Sequence, residues 1–328
     1  MTVRHRLTKT VTRAISCLSI ALVLCATSAW AQYPAKPVRL LVPFPAGGAT
    51  DAAARDLAEG LSRTLKQTFV VENKPGADGA VAAQTLSAAP ADGYTLLFAS
   101  SSMEGIPFTQ KNAPFASLND FTPVSLVCRL VFGVVVNPNV PSQSMREFVA
   151  FAQSHPEKLF YGSGSLSDLM AAAEFMAATR TRMVKVNYKG GAAMLPDLAT
   201  NRVQVSFTPL SPMLPFVGDG KMKVLAVFSE SRVLAVPGVA TLKELGITGV
   251  SGAGGLQAVV GPRGMSPDVV KRLVPAINAI MAEQAVRNKF VQRGQEPETS
   301  SPEALASMIR AEREGWERFV AQEGIKPE

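Results

Sequence analysis

Short apolar runs alternate with amphipathic stretches along most of the chain. Runs over 38–42, 69–73, 94–99, 124–127, 131–136, 159–161, 184–187, 203–208, 224–228 and 256–260 are predicted strands. Between them the period changes. Leu57, Leu61 and Leu65 recur every four residues, the spacing of one helix face. Ser144 is placed to cap a helix ending at His155, and Asp168 to Thr179 is an alanine- and methionine-rich helical stretch. Ser266-Pro267 and Ser301-Pro302 each set a capping residue before a proline at the first helical position. Leu273, Ile277, Ile280 and Met281 follow the first pair; Leu305, Ile309, Trp316 and Val320 follow the second. This alternation predicts an α/β fold of mainly parallel sheets flanked by helices. The strands read as continuous apolar runs, as strands buried on both faces do. Ten strands are many for one sheet, so two lobes are expected. The segments 118–141 and 224–256 are the expected passages between them. Two crossovers then give lobe 1 residues 32–130 and 252–328, lobe 2 residues 131–251, and a cleft between.

The N-terminus has a different pattern. Arg4, Arg6, Lys9 and Arg13 precede an apolar stretch from Ile15 to Ala26, and Ala29-Trp30-Ala31 has the form of a cleavage site. The apolar stretch is shorter than the ~20 residues a spanning helix needs. Residues 1–31 are therefore read as a secretory leader, which implies a periplasmic product. A lipid anchor at Cys25 is the alternative, and the bulky Leu24 before it argues against that. The leader changes the charge balance: 33 basic residues face 26 acidic ones in the whole chain, and the leader holds four of the basic ones. What remains is mildly basic, with no nucleic-acid footprint. Cys128 and His155 are the only cysteine and histidine beyond the leader. That argues against a disulfide and against a His/Cys metal cage. His155 precedes Pro156 in a polar loop, a poor place for a general base.

The candidate chemistry lies in the loops after the strands. "PAGGATD" follows the first run, "SSSMEG" the third, "GSGSLSD" the run at 159–161, "YKGG" the run at 184–187, and "TPLSP" the run at 203–208. In open α/β sheets ligands sit beyond the carboxyl ends of strands. Loops of this composition turn backbone N–H groups and hydroxyls into one space, and helix starts add partial positive charge. The chemistry implied is anion binding by uncharged donors. Glycine–serine loops also occur simply because they turn tightly. A phosphate cradle lacks its lysine in "AGGATDAAA", and a dinucleotide fingerprint lacks its spaced glycines. G-x-S-x-G is absent, so no nucleophile turn is present. The expectation is a binding protein and not an enzyme, with no catalytic residue, metal or cofactor.

Several stretches in fixed order carry a resemblance. "YPAKPVRLLVPFPAGGATDAAARDLAEGL", "VVENKPGADG", "APADGYTLLFASSS", "DFTPVSLV", "LFYGSGS", "VNYKGG" and "EGIKPE" resemble the Bug-type extracytoplasmic solute receptors of tripartite tricarboxylate transporters. The resemblance implies a two-lobed periplasmic-binding-protein (Venus-flytrap) fold. It also implies a small carboxylated ligand and membrane permease subunits as partners, with a monomeric receptor expected. Carried onto this chain, it implies that Ala46 to Asp51 form the first lobe's anion loop, with the amides of Gly48, Ala49 and Thr50 and the Thr50 hydroxyl binding and Asp51 setting the loop. Ser101 and Ser102 face the same cleft. The second lobe supplies Ser163, Gly164 and Ser165, then Lys189 and Gly190, with Thr208 near the far end of the ligand. Three departures stand out: Thr208 where relatives often carry an acid, Glu104 beside the serine run, and "SLSDLMAAAEF" without a histidine. Glu104 has two readings, solvent-facing or ligand-contacting. A sensor signalling to a membrane two-component system is the alternative role.

Overall fold

The computed structural model describes residues 33–250 and 255–327. The expected leader, 1–31, lies outside the described residues. In chain order the strands are β1 (Val38–Val42), β2 (Phe69–Asn73), β3 (Thr95–Ser100), β4 (Thr122–Leu130), β5 (Phe132–Val136), β6 (Phe160–Ser163), β7 (Val184–Asn187), β8 (Val205–Pro209), β9 (Lys223–Phe228), β10 (Gly255–Gly261) and β11 (Gln295–Pro297). The helices are α1 (Ala49–Leu65), α2 (Ala80–Ser87), α3 (Ile106–Thr109), α4 (Met145–Ser154), α5 (Leu166–Thr179), α6 (Gly191–Ala199), α7 (Leu214–Gly218), α8 (Pro267–Ala282), α9 (Gln284–Gln292) and α10 (Pro302–Glu323). Ser101–Gly105 and Leu118–Asp120 are short 3-10 turns.

The strands form two sheets, ordered β11-β4-β10-β3-β1-β2 and β7-β6-β8-β5-β9. Each contains a parallel trio, β2-β1-β3 in the first and β7-β6-β8 in the second. Beside each trio lies an antiparallel strand at a crossover. β10 pairs β3 with Val259 opposite Phe98, and β5 pairs β8 with Phe132 opposite Pro209. The parallel trios follow the expectation, and the crossover strands make each sheet mixed. The chain leaves the first sheet through Val131 and returns between Phe228 and Gly255, inside the two segments expected as passages. All ten expected strands are present, with ends shifted by up to three residues. β11 is additional: three residues ending in proline, paired to β4, give too little pattern to read.

Burial explains the helix positions. Leu57 and Leu61 of α1 and Ile277 and Ile280 of α8 are fully buried. Gly60 lets the two helices touch, since a Cβ there would lie 2.5 Å from Ile280 Cγ2. Leu305 and Ile309 of α10 join Ala82, Ala83 and Leu86 of α2 against Leu97 and Leu126. In the second sheet, alternate residues of β5 enter opposite clusters, as the pleat requires. Phe132, Val134 and Val136 meet Phe148 and Phe175; Val131 and Val135 meet Met194, Leu198 and Met213. The two halves also touch through side chains, where Met170 of α5 packs with Trp316 and Phe319 of α10.

Candidate functional site

β1 ends in an exposed loop that turns at Gly47, whose φ of +85° suits glycine. Gly48 is the N-cap of α1 and offers no side-chain cap. The first-turn amides of a helix lack intrahelical partners. Here Ala52 N–H is the first to bond back, to Gly48 O at 3.0 Å, which leaves Ala49, Thr50 and Asp51 amides as open donors within the helix. Asp51 is turned inward and is 3% exposed. Its Oδ2 accepts from Gly47 N–H and from Arg55 Nε, both at 2.9 Å, and its Oδ1 accepts from Asn73 Nδ2 at 2.9 Å. Burial alone would raise its pKa; Arg55, the Gly47 amide and Asn73 outweigh that and hold it below the usual carboxylate value. Asp51 therefore fixes the loop, and its carboxylate is occupied by the protein.

β3 ends at Ser100, the N-cap position of the turn carrying Ser101 and Ser102, where it makes no side-chain cap bond. Ser101 is buried, Ser102 half-buried, and Ser102 Oγ donates to Ser100 Oγ at 3.3 Å. Glu104 does not face solvent, the first of the two places anticipated for it. It is fully buried, and its Oε1 accepts from Leu118 N–H and from Ser117 Oγ at 3.2 Å. It ties the serine turn to the 117–120 segment, and burial pushes its pKa up to about 7.

In the second half, β6 ends at Ser163. Gly164 N–H donates to Asp168 Oδ2 at 2.8 Å, and Ser165 Oγ caps α5 by accepting from Asp168 N–H at 3.2 Å. Ser165 is thus committed to its helix. Asp168 is 2% exposed with Oδ1 unpaired, and burial pushes its pKa up to about 6 despite the Gly164 amide and the Ser165 and Thr208 side chains. Gly164 packs on the next loop: a Cβ there would sit 2.4 Å from the Gly190 carbonyl carbon. Gly190, at φ +94°, starts α6 with no side-chain cap. A Cβ on Gly191 would meet Thr208 Oγ1 at 3.7 Å. So Gly164, Gly190 and Thr208 form one cluster, while Lys189 is exposed beside it.

Contacts link the two groups through the sheet junction. Gln295 Nε2 donates to Ala49 O at 3.2 Å, and the adjoining Gly294 lies against Leu210 and Ser211, just beyond Thr208. A Cβ on Gly255 would meet Ser101 Oγ at 3.3 Å and Phe132 at 3.6 Å, and Phe132 pairs with Pro209. Three polar residues beneath these loops escaped the sequence reading: Asp168, Gln257 and Gln295. Asp168 was visible as the fourth residue after Gly164, the same interval as Gly47 to Asp51. The glutamines lie on strands, where nothing in the local pattern marked them.

Comparison with known proteins identifies the framework. Residues 53–325 match the profile described as the tripartite tricarboxylate transporter family receptor. This chain belongs to that family. The receptor is 30% identical to protein BugT of Bordetella pertussis, over 90% of this chain and 91% of that one. Its structure resembles that of R. palustris Rpa4515 with adipate: TM-score 0.82, 30% identity, 90% of this chain and all of the other. It also resembles MatC of Rhodopseudomonas palustris with bound malate, at TM-score 0.75 and 25% identity over 88% of this chain and all of the other. The fold is thus the two-lobed fold of periplasmic binding proteins, and the receptor is a solute-binding protein of that class. His155 lies on its surface, stacked on Phe151 with centroids 4.4 Å apart.

Proposed function

We propose that this receptor captures a small organic carboxylate between two lobes, residues 32–130 plus 252–328 and residues 131–251. It then delivers the ligand unaltered to the membrane subunits of a tripartite tricarboxylate-type transporter. It acts in the periplasm as a monomer after removal of 1–31, and without catalysis. The carrying observation is a contrast in capping. Among the helices of eight or more residues that follow a strand with no other helix or 3-10 turn between, α1 and α6 begin at Gly48 and Gly190 with no side-chain cap, whereas α4, α5, α8 and α10 are capped by Ser144, Ser165, Ser266 and Ser301. Uncapped helix starts keep N–H donors and partial positive charge for an anion. Adipate and malate, named with the two similar structures, are such anions.

In this reading the Gly48, Ala49 and Thr50 amides and the Thr50 hydroxyl hold one carboxylate, with Ser101 and Ser102 beside it. Ser163, Gly164, Gly190 and Thr208 close on the ligand from the other lobe, and Lys189 adds charge at the rim. Asp51 and Ser165 shape the loops. Closure follows from the ligand's higher affinity for the closed state. Calorimetry with acetate, adipate, malate and citrate tests the reading. Saturable binding of at least one is expected; no heat and no thermal shift with any of the four would overturn it.

A further inference from the structure

Beneath the first turn of α1 lies a buried chain of polar groups that no charged residue enters. Thr50 is 8% exposed, Gln295 1%, and Gln257 and Cys128 are fully buried. The direction of each hydrogen bond follows from one fixed point. Ala49 O is a backbone carbonyl and can only accept, so the Gln295 group 3.2 Å from it is the amide NH₂. The same NH₂ lies 3.3 Å from the Gln257 side chain, whose facing atom must accept and is therefore Oε1. Cys128 Sγ, 3.2 Å away, donates to that oxygen as well. Burial pushes the Cys128 thiol up, so it keeps its proton. The Gln257 NH₂ is then turned to Thr50 and donates to its Oγ1 at 2.6 Å. A hydroxyl that accepts on this side has its own hydrogen to give elsewhere. Among the described residues no acceptor takes it.

We propose that Gln257 is a positioning residue: held by Gln295 and Cys128, it commits the Thr50 hydroxyl to donate toward the ligand. The relay makes this part of the site select an acceptor, such as a carboxylate oxygen, over a ligand N–H or O–H. Gln257 touches no ligand in this scheme. It removes an alternative hydroxyl orientation before the ligand arrives. This inference rests on the carboxylate-receptor reading and deepens it.

Gln257→Glu keeps the shape and reverses the bond. The introduced side chain, when ionised, accepts the Thr50 hydrogen, so the hydroxyl can no longer donate to a ligand. Calorimetry with acetate, adipate, malate and citrate is run on wild type and variant from pH 6 to 8.5, and melting curves check folding. The expected result is a loss of about ten-fold or more for the bound carboxylate at pH 8.5. The loss shrinks as pH falls, because the introduced carboxyl, once protonated, donates to Thr50 again. Wild type at each pH corrects for the ligand's own titration. A merely structural lesion gives a loss that does not vary with pH, and that result, or wild-type affinity throughout, overturns the relay. Should Gln257→Glu fail to fold, Gln257→Met with Thr50→Val completes a cycle. The relay expects Gln257→Met to weaken binding several-fold in the wild type and to add nothing in Thr50→Val; equal losses in both backgrounds overturn it. Wild type that binds none of the four anions overturns the receptor reading instead, and the relay with it.

Discussion

The starts of α1 and α5 solve one backbone problem with opposite electrostatics. Gly47-Gly48-Ala49-Thr50-Asp51 and Gly164-Ser165-Leu166-Ser167-Asp168 share the spacing G-x-x-x-D. In both, the aspartate accepts the amide of the glycine four residues earlier, at 2.9 and 2.8 Å. The position four residues on differs: Arg55 stands beside Asp51, and Ala172 is its counterpart after Asp168. Asp51 is held below the usual carboxylate pKa, and Asp168 is pushed up to about 6. The N-cap differs too, a bare glycine against a serine that satisfies its own helix. The local motif therefore decides how the loop closes. On the proposed reading, the cap decides which of these two helix starts is left for a ligand.

The largest effect separating the two junctions comes from one methyl group. Gly164→Ala places a Cβ 2.4 to 2.8 Å from the Gly190–Gly191 backbone, which cannot rotate aside as a side chain would. The two loops must part, at a cost of about 3 kcal/mol or more. In Gly48→Ala the nearest atom is Pro45 O at 3.7 Å, so the cost is about 0.5 kcal/mol or less. Urea denaturation of the pair checks this. Equal costs would mean that the second-lobe loops are not packed as described.

Replacing the aspartates comes next and separates them by sign. The raised pKa of Asp168 means the folded state binds more protons than the unfolded one between roughly pH 4 and 6. Its contribution to stability is present at low pH and is lost as pH rises through 6. Asp168→Asn removes that loss while still accepting from Gly164, so its stability relative to wild type should rise across this window, by up to about 3 kcal/mol. Asp51 has the opposite linkage. Its lowered pKa contributes stability above the unfolded value, lost as pH falls through the folded one. Asp51→Asn should cost about 1–2 kcal/mol at pH 7 and progressively less below pH 4. Melting temperatures from pH 3 to 8 test both. Parallel curves for the two variants would refute the contrast.

Most of this framework was legible in the chain because strands and long helices write their own periodicity. β1 to β10 and the Ser144, Ser266 and Ser301 caps depend on residues close in sequence. The glycine loops were legible for the same reason. Glu104, Gln257 and Gln295 were not, because their roles come from partners distant along the chain: Leu118, Thr50 and Ala49. A polar residue on an apolar strand gives no sign of where its hydrogen bonds go. The resemblance marks Ser165 as a ligand group, and only the capping geometry separates a hydroxyl kept for its helix from one left open.

The smallest stability effects give the sharpest test of that distinction, because they exchange the caps. Ser165→Ala removes the bond to Asp168 N–H and should cost about 1 kcal/mol, measured by urea denaturation. Gly48→Ser does the reverse. Gly48 already has extended N-cap geometry, φ −79° and ψ 170°, and its Cβ has room. A serine hydroxyl there would accept from the Thr50 or Asp51 amide, stabilising α1 by a few tenths of a kcal/mol. The Thr50 amide is among the donors assigned to the ligand, and a hydroxyl oxygen bonded to either amide sits where the anion would, so the gain in stability should come with a several-fold loss of adipate or malate affinity by calorimetry. The two quantities must move in opposite directions, because one set of N–H groups cannot serve both a cap and an anion. A Gly48→Ser receptor that is more stable and binds as tightly as wild type would remove the α1 start from the site, whatever its cap.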